Sequence, residues 1–449
     1  MNRKAALIKG NLPESRVVKI WQECLPGRKD LFTEDKKSIE VVYPGRPNDD
    51  RGADFRDAVI AAGRRLVKGD IEVHVRSSSW WGHQHHQDLL YNGVILHVVY
   101  RHDTAAAVTL QNGREVPTLA LEKYIADTGP VSRRPLPCHE TIDHRNQAFI
   151  GDILDTAGDN RFAIKIAEFQ AALSRVGAEQ ALYQGIMAAL GYVKNKIPMI
   201  ELARRLPLLK LLAAAPAEIG HDECLVRYQA LLLGTAGLLP SQSRCHGRDD
   251  KSEAWVERLE DNWAACVQTD TMSPNDWHTF KVRPGNLPRR RLAAMSYLLC
   301  RCRENGLLPV LIGEVENAPP ERNYISLREW LFVNAQGFWA ENLDFGIPAR
   351  RFVPALLGND RADIIILNVL LPLADAWARA ALRPKLAEKA SEIYRCYPSL
   401  TENTVEKHMR HQLGISRCPV NSARRQQGLL HIYKTLCSQG KCRECPLGN

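Results

Sequence analysis

Residues 69–78 read GDIEVHVRSS, and this stretch decides the fold of the first part of the chain. Side chains of a strand point alternately to opposite faces, so Ile71, Val73 and Val75 share one face. The titratable side chains share the other face, and they are Asp70, Glu72, His74 and Arg76. The pattern predicts a strand with one face in the core and one face available for chemistry. A solvated face of a strand that carries charges without a function is the alternative.

The sequence on either side of this strand predicts an α/β domain. Residues 14–22 form a candidate helix, and residues 38–43, 54–60 and 94–100 have the β-branched, apolar composition of strands. The histidine-rich segment 80–88 is expected to begin a short helix. The predicted order is therefore helix, three strands, helix, strand (αβββαβ).

Composition places the chain among ordinary folded proteins. It has 449 residues, of which 45% are hydrophobic and 25% charged, which excludes disordered, collagen-like and coiled-coil classes. The 60 Lys and Arg residues against 51 Asp and Glu give a net charge of +9, which permits a nucleic-acid partner without requiring one. No signal-peptide pattern opens the sequence, so we expect a cytoplasmic protein with reduced thiols. The apolar run 364–382 includes polar and charged residues and predicts a buried helix, so no membrane partner is expected.

Two polar stretches divide the remainder of the chain. Residues 128–145 are rich in proline and charge, and residues 241–252 are polar, so both are expected to be linkers. Apolar residues recur at helical spacing between and after them. The sequence thus predicts four parts: an α/β domain (1–127), two helical domains (146–240 and 253–403) and a basic, cysteine-rich tail (404–449).

A candidate catalytic centre lies on the α/β domain. A hairpin between the strands at 54–60 and 71–76 would place Asp54 beside Glu72. Two close carboxylates repel one another unless a divalent cation or a shared proton compensates, and Mg²⁺ or Mn²⁺ suits oxygen ligands. His74 and Arg76 on the same face could then orient a water molecule and stabilise a phosphoryl transition state.

The chain resembles a widespread bacterial family of unknown function. The resemblance rests on GADFRDA (residues 52–58), GDIEVHVRSS (69–78), HQHHQD (83–88) and VILHVV (94–99), and it covers almost the whole chain. Further matches are Phe162, Lys165, Asn195, Lys196, Arg283, Pro284, Asn286, Pro288 and Arg291. This family implies no activity.

A weaker resemblance is to the PD-(D/E)XK nuclease superfamily. Its core order is helix, three strands, helix, strand, with one acid on a strand and Glu-x-Lys on the next. The resemblance implies a restriction-endonuclease-like fold in which Asp54 and Glu72 hold the metal. The lysine position is occupied by His74, and Arg76 stays protonated and is unsuited to act as a base, so His74 is the better candidate.

The segment WWGHQHHQD, residues 80–88, supplies further candidate ligands. Neutral imidazole is a common zinc ligand, and His83 and His86 would face one centre if they lay at helical i, i+3 spacing. Because no cysteine or second carboxylate lies nearby in the sequence, we favour a substrate-facing role for His83, His85, His86 and Asp88, or hydrogen bonding to the backbone, over a metal site.

The tail contains a second candidate metal site. Cys418, Cys437, Cys442 and Cys445 form C-x18-C-x4-C-x2-C, and four thiolates can hold Zn²⁺ or a [4Fe–4S] cluster. Buried or redox-active thiols are the alternative, and His431 could substitute for a remote Cys418.

Two basic segments fit contacts to phosphate. Residues 407–444 contain eight Lys or Arg and one acid, and a second group lies at 281–291. The candidate phosphate-binding residues are Arg283, Arg290, Arg291, Arg424 and Arg425. Solvated surface charge is the alternative in each case.

Together these features predict a divalent-metal-dependent nuclease or nuclease-like DNA-processing protein. The alternatives are a non-catalytic nucleic-acid-binding or scaffold protein with a degenerate nuclease fold, and a metal-dependent hydrolase of a small molecule centred on the histidines.

Overall fold

The structure is a computed structural model that describes residues 12–126, 136–143, 146–216, 218–243, 253–266, 270–319, 323–349 and 355–448. The chain divides into two compact units. Unit 1 comprises residues 1–160 and 402–449, and unit 2 comprises residues 161–401. Most of the predicted linkers, 128–135, 144–145 and 244–252, lie outside the described residues.

A seven-stranded sheet forms the centre of unit 1, with the order β1-β2-β4-β5-β6-β7 and β3 paired to β4. The strands are β1 (Leu31–Phe32), β2 (Ser38–Tyr43), β3 (Arg46–Pro47), β4 (Phe55–Ala62), β5 (Arg65–Arg76), β6 (Val94–Arg101) and β7 (Thr118–Ala120). The helix α1 (Glu14–Cys24) precedes these strands, α2 (Ser79–Gly82) lies between β5 and β6, and α3 (Glu122–Ala126) follows β7. The predicted order is present as α1, β2, β4, β5, α2 and β6.

The direction of pairing changes at β5. The strands β2, β4 and β5 pair antiparallel, whereas β5, β6 and β7 pair parallel. A parallel pair needs a crossover, and α2 with two 3₁₀ turns, His85–Gln87 and Leu89–Tyr91, provides it. The crossover places its histidines at one end of β5.

The helix α1 covers one face of the sheet. Its residues Val17, Ile20 and Trp21 are buried with the strand residues Ile71 and Val73 in one apolar cluster. The Trp21 indole N–H donates to the carbonyl of Pro44 at 2.9 Å, which satisfies its polar atom inside the core.

A second apolar cluster of unit 1 combines the sheet with the last helices of the chain. The helices involved are α4 (Pro137–Asp143), α5 (Gln147–Val176), α18 (Thr404–Leu413) and α19 (Ala423–Thr435). Tyr43 and Val59 of the sheet pack with Met409, Leu429 and Ile432 of the last two helices. The tail therefore belongs to unit 1, which differs from the separate C-terminal module predicted from the sequence.

Unit 2 is mainly helical, as predicted for the middle of the chain. Its helices are α6 (Ala178–Leu190), α7 (Lys196–Arg205), α8 (Leu208–Ala213), α9 (His221–Thr235), α10 (Glu253–Ala264), α11 (Pro288–Cys302), α12 (Leu307–Asn317), α13 (Asn323–Leu331), α14 (Phe338–Glu341), α15 (Asn359–Ile365), α16 (Leu371–Ala380) and α17 (Pro384–Cys396). Two small antiparallel pairs join β8 (Val333–Asn334) to β11 (Ala355–Leu357) and β9 (Asn342–Asp344) to β10 (Ile347–Pro348). Most of the two predicted helical domains, residues 161–240 and 253–401, thus lies in one compact unit, whereas residues 146–160 belong to unit 1.

The apolar run 364–382 forms α15, a π-helical turn at Ile366–Leu370 and α16. Pro372 has no N–H to donate, and the widened turn precedes it. Among the described residues, no helix combines the length and apolar character needed to cross a membrane.

Candidate metal centre

The structure brings Asp54 and Glu72 together at adjacent strands. Phe55 of β4 pairs with Ile71 of β5, which places the carboxyl groups side by side. The Asp54 N–H donates to Glu72 Oε2 at 3.1 Å, and the Val73 N–H donates to Asp54 Oδ2 at 3.0 Å. Each carboxylate is thereby fixed by backbone of the other strand.

The environment opposes ionisation of both carboxyl groups. Burial, together with the neighbouring Glu72 carboxylate, raises the pKa of Asp54 to about 7. Burial likewise raises the pKa of Glu72 to about 8, and Glu14 of α1 contributes to the increase. A bound cation would reverse this penalty, because it favours the charged form.

A bulge in β4 separates Asp57 from this centre. The register shifts between Phe55 and Ala58, and Asp57 adopts a left-handed backbone conformation with φ of 60°. Its carboxylate accepts a hydrogen bond from the Tyr433 hydroxyl at 2.6 Å. Asp57 therefore anchors α19 and does not join the carboxylate pair.

His74 and His85 lie close to the Glu72 carboxylate, and His83 contacts His74. His74 Nε2 lies 3.1 Å from His83 Nδ1, and Glu72 Oε1 lies 3.4 Å from His74 Nε2 and 3.1 Å from His85 Nε2. The donor atoms of His74, His83 and His85 all lie within 4.8 Å of one another, and no other such group of three occurs in the described part of the chain. We refer to these three residues as the histidine cluster.

The histidine cluster contains His85 where the helical spacing predicted His86. The helix α2 ends at Gly82, and Gln84 has a positive φ of 61°, so the i, i+3 relation does not apply. The turned backbone directs His85 inward, whereas the His86 ring packs on Trp81 with centroids 4.5 Å apart. This is a correction to the predicted pairing of His83 with His86.

Asp88 has a local structural role. It is exposed, and its carboxylate accepts a hydrogen bond from the Leu90 N–H at 2.9 Å, which caps the turn Leu89–Tyr91. Tyr91 at the end of that turn stacks on His85 with centroids 3.9 Å apart. Asp88 thus fixes the turn that holds the Tyr91 ring against His85.

His97 of β6 supports the cluster from below. Its Nε2 shares a hydrogen bond with His74 Nδ1 at 2.9 Å, and its own ring is completely buried. Burial lowers the pKa of His74 to about 2 and that of His97 to about 3, so both rings are neutral. Neutral imidazoles with a hydrogen-bonded second nitrogen are suited to ligate a metal.

These residues fit a divalent ion. His85 Nε2 is buried and has no hydrogen-bond partner among the described residues, although Glu72 Oε1 lies 3.1 Å away. An unpartnered nitrogen facing a buried carboxylate is costly in a folded protein, and a shared cation would satisfy both. Imidazole and carboxylate donors together suit Mn²⁺ or Zn²⁺ better than Mg²⁺, which prefers oxygen.

Arg76 lies apart from these donors. It is exposed at the last residue of β5 and is paired across the parallel register with Arg101 of β6. The acid at the other end of this face, Asp70, forms an ion pair with Arg56. Of the four titratable residues in the predicted row, Glu72 and His74 are thus the two that contact each other.

Arg290 and Arg291 are in the interior of unit 2. Arg290 is fully buried and donates to the carbonyls of Trp339 and Asn342. Arg291 is 6% exposed and donates to the Leu356 carbonyl. The predicted phosphate-binding role does not fit these two residues, because their guanidinium groups are used to satisfy buried carbonyls.

Arg424 and Arg425 of α19 are used in a similar way. Arg424 forms an ion pair with Asp159, and Arg425 forms two hydrogen bonds with Asp155, at 3.1 and 3.0 Å. Both acids belong to α5, so these arginines dock α19 onto α5. Of the five predicted phosphate-binding arginines, Arg283 is exposed.

The cysteines of the tail are grouped differently from the sequence prediction. Cys437, Cys442 and Cys445 line one cavity, and the fourth thiol in its wall is Cys138 of α4. Cys418 is exposed and does not line this cavity. The correction follows from α18, which packs against α4, whereas Cys418 lies in the loop between α18 and α19.

Sequence reasoning missed Cys138 and Glu14 as members of these groups. Cys138 lies in a proline-rich stretch that was expected to be a linker, and nothing in its spacing relates it to the tail. Glu14 is the first residue of α1 and is exposed, and its charge raises the pKa of both Asp54 and Glu72. The helix would have to be placed against β5 before this relation could be found.

Comparison with known proteins gives one match. Residues 14–403 match the model of a family described as "Protein of unknown function (DUF2851)". No curated protein and no solved structure matches the chain.

Proposed function

Since the chain belongs to the DUF2851 family, whose function is unknown, we propose a function from the site itself: a metal-dependent phosphodiesterase that acts on nucleic acid. The observation that carries the proposal is the convergence of Asp54 and Glu72 with the histidine cluster. Buried carboxylates beside neutral imidazoles form a donor set that a divalent ion completes.

The arrangement of strands supports a nuclease. Asp54 precedes β4, Glu72 lies on β5, and the order α1, β2, β4, β5, α2, β6 is the one that the PD-(D/E)XK resemblance implies. We therefore propose a restriction-endonuclease-like fold for unit 1. His74 occupies the place of the superfamily lysine, which exchanges a cation for a neutral imidazole.

Each residue has a distinct role in the proposed reaction. Glu72, His74 and His85 would hold the ion, with Asp54 beside them. The ion when bound supplies Lewis-acid stabilisation of charge on a phosphoryl oxygen. His97 keeps the His74 ring in one orientation through the 2.9 Å hydrogen bond. His83 is the exposed member of the cluster and is placed to accept a proton from an attacking water molecule.

Cleavage of DNA tests this proposal. Purified full-length protein is incubated with linear and branched DNA in Mn²⁺, Zn²⁺ or Mg²⁺, beside the isosteric variant Glu72→Gln. The matched control is Glu122→Gln, a half-buried acid of the same unit that pairs with Arg101 at 2.6 Å. We expect metal-dependent cleavage by the wild type and the control, and a loss of about 100-fold or more in Glu72→Gln, as for removal of a group that acts in the transition state. Cleavage that persists in Glu72→Gln would refute the site.

The three-imidazole donor set favours a second candidate, a metal-dependent hydrolase of a small molecule. The same proteins are therefore assayed with a small chromogenic phosphodiester. Hydrolysis of this compound without cleavage of any DNA would support the second candidate. DNA binding without hydrolysis of either substrate would support a non-catalytic nucleic-acid-binding protein.

A further inference from the structure

A second donor cluster lies in unit 1, on the side of the sheet covered by α18 and α19. Cys138, Cys437, Cys442 and Cys445 line one small cavity. All four are free thiols. The cavity wall is completed by side chains that carry no charge, Tyr43, Leu136, Leu436 and Gln412, and by Gly448.

The four thiols come from two remote parts of the sequence. Cys138 lies near the start of α4, and the other three lie in two 3₁₀ turns at the end of the chain, Cys437–Gln439 and Cys442–Glu444, and directly after them. Their mutual proximity is evident from electrostatics, since burial raises the pKa of Cys437 and its three partner thiols raise it further. Packing of apolar surface alone does not require four thiols at one point.

The backbone between the cysteines is held in place. Gly440 has a positive φ of 68°, and a Cβ at this position would lie 2.8 Å from Val59 Cγ1. Glycine is therefore required for the turn to approach β4 this closely. The turn between Cys437 and Cys442 is fixed by the sheet, which pre-organises its thiols.

Hydrogen-bond donors point at the sulfur atoms. The Gln412 amide nitrogen lies 3.9 Å from Cys138 Sγ and 3.8 Å from Cys437 Sγ. Backbone groups of Leu447 and Gly448 hydrogen-bond to the Cys445 thiol. Such donors stabilise thiolates in metal–sulfur centres and tune their potential.

The spacing of the thiols distinguishes between kinds of metal centre. Tetrahedral Zn²⁺ with Zn–S bonds of about 2.3 Å requires sulfur atoms about 3.8 Å apart. Among the described residues, no three of these cysteines have sulfur atoms within 4.8 Å of one another. A cubane cluster places a separate iron behind each thiolate, so its ligands lie further apart than those of a single ion.

From these observations we propose that Cys138, Cys437, Cys442 and Cys445 bind a [4Fe–4S] cluster that clasps α4 to the C-terminal turns. The four thiols lose their protons when they ligate iron. The cluster would link residues 136–143 to residues 437–445, which precede and follow unit 2 in the sequence. This proposal is independent of the proposed function, because its test measures iron and spectra and uses no activity.

The test compares two single cysteine variants. The full chain is purified without oxygen, reconstituted with iron and sulfide, and analysed for iron, sulfide and zinc. Cys138→Ser removes a proposed ligand, whereas Cys418→Ser removes an exposed cysteine of the same tail and is the matched control. We expect iron and sulfide in equal amounts and broad visible absorption in the wild type and in Cys418→Ser, and loss of nearly all iron in Cys138→Ser.

A further variant separates the loss of a ligand from a general disturbance of the cavity. Gln412→Leu removes an amide donor but no ligand, so we expect it to retain the cluster and to lower its reduction potential. Zinc in place of iron, absence of metal after reconstitution, or unchanged iron in a folded Cys138→Ser variant would each overturn the proposal. An unchanged potential in Gln412→Leu would contradict the assigned contact with the sulfur atoms.

Discussion

Glu72→Gln should make the metal-free protein more stable while it removes the response to metal. Glu72 is 5% exposed, and burial raises its pKa to about 8 from 4.5. A carboxyl group with a raised pKa contributes its full stability below pH 4.5, and this contribution is lost as the pH rises towards 8. At pH 7 the loss of stability is about 3 kcal/mol, because each pH unit above 4.5 lowers the free energy of unfolding by about 1.4 kcal/mol until Glu72 also ionises in the folded protein.

The neutral amide of glutamine does not pay this cost. We therefore expect Glu72→Gln to be more stable than the wild type at pH 8 in the presence of EDTA, and to have similar or slightly lower stability at pH 5. Saturation with Mn²⁺ at about 100 times its dissociation constant should stabilise the wild type by about 2.7 kcal/mol, and the variant much less.

The assay is amide hydrogen exchange in peptides from β4 and β5 as urea is increased, because these strands report on unit 1 alone. Glu122→Gln serves as the control; it loses an ion pair with Arg101, and it should differ from the wild type by the same small amount at both pH values. The reasoning is refuted if Glu72→Gln is less stable than the wild type at pH 8, or if Mn²⁺ stabilises both proteins equally.

Three further predictions concern the framework. Gly158→Ala should destabilise unit 1, because the new Cβ would lie 2.3 Å from the Arg424 carbonyl oxygen. Gly313→Ala in α12 places its Cβ where nothing lies within 4 Å, and it should stabilise unit 2 by about 1 kcal/mol. Thermal unfolding in which both variants change the stability in the same direction would contradict this pair of predictions. His408 shares a hydrogen bond with the Tyr43 hydroxyl at 2.6 Å, and burial lowers the pKa of His408 to about 4 from 6.5. The free energy of unfolding should therefore fall by about 3 kcal/mol as the pH falls from 6.5 to 4. A His408→Gln variant with the same acid sensitivity in urea titrations would disprove the assignment. Arg290→Ala should destabilise unit 2 by about 3 kcal/mol, since it removes the donor to the carbonyls of Trp339 and Asn342. The affinity of the folded protein for DNA should not change. A weaker affinity with normal stability would instead support the phosphate-binding role of Arg290.

The sheet of unit 1 could be predicted because its strands have strong local patterns. Residues 38–43 coincide with β2, and the alternating pattern around Glu72 identifies β5 and the face that carries chemistry. The hairpin between β4 and β5 then follows from chain proximity, which is why Asp54 and Glu72 could be paired from the sequence.

The remaining features depend on tertiary structure that local patterns do not encode. A single left-handed residue, Gln84, exchanges His86 for His85 in the cluster. Packing of α18 against α4 exchanges Cys418 for Cys138. A run of arginines has the same appearance in sequence whether it is solvated or satisfies buried carbonyls, so burial of Arg290 could not be foreseen.

We propose that Glu72, His74 and His85 hold one divalent ion. Crystals of the full chain grown with Mn²⁺ and measured at the manganese absorption edge test this most directly. We expect one strong anomalous peak at bonding distance from the Glu72 carboxylate and the His85 Nε2 atom. Manganese bound only elsewhere on the protein, or no peak in crystals that are saturated with the ion, would contradict it.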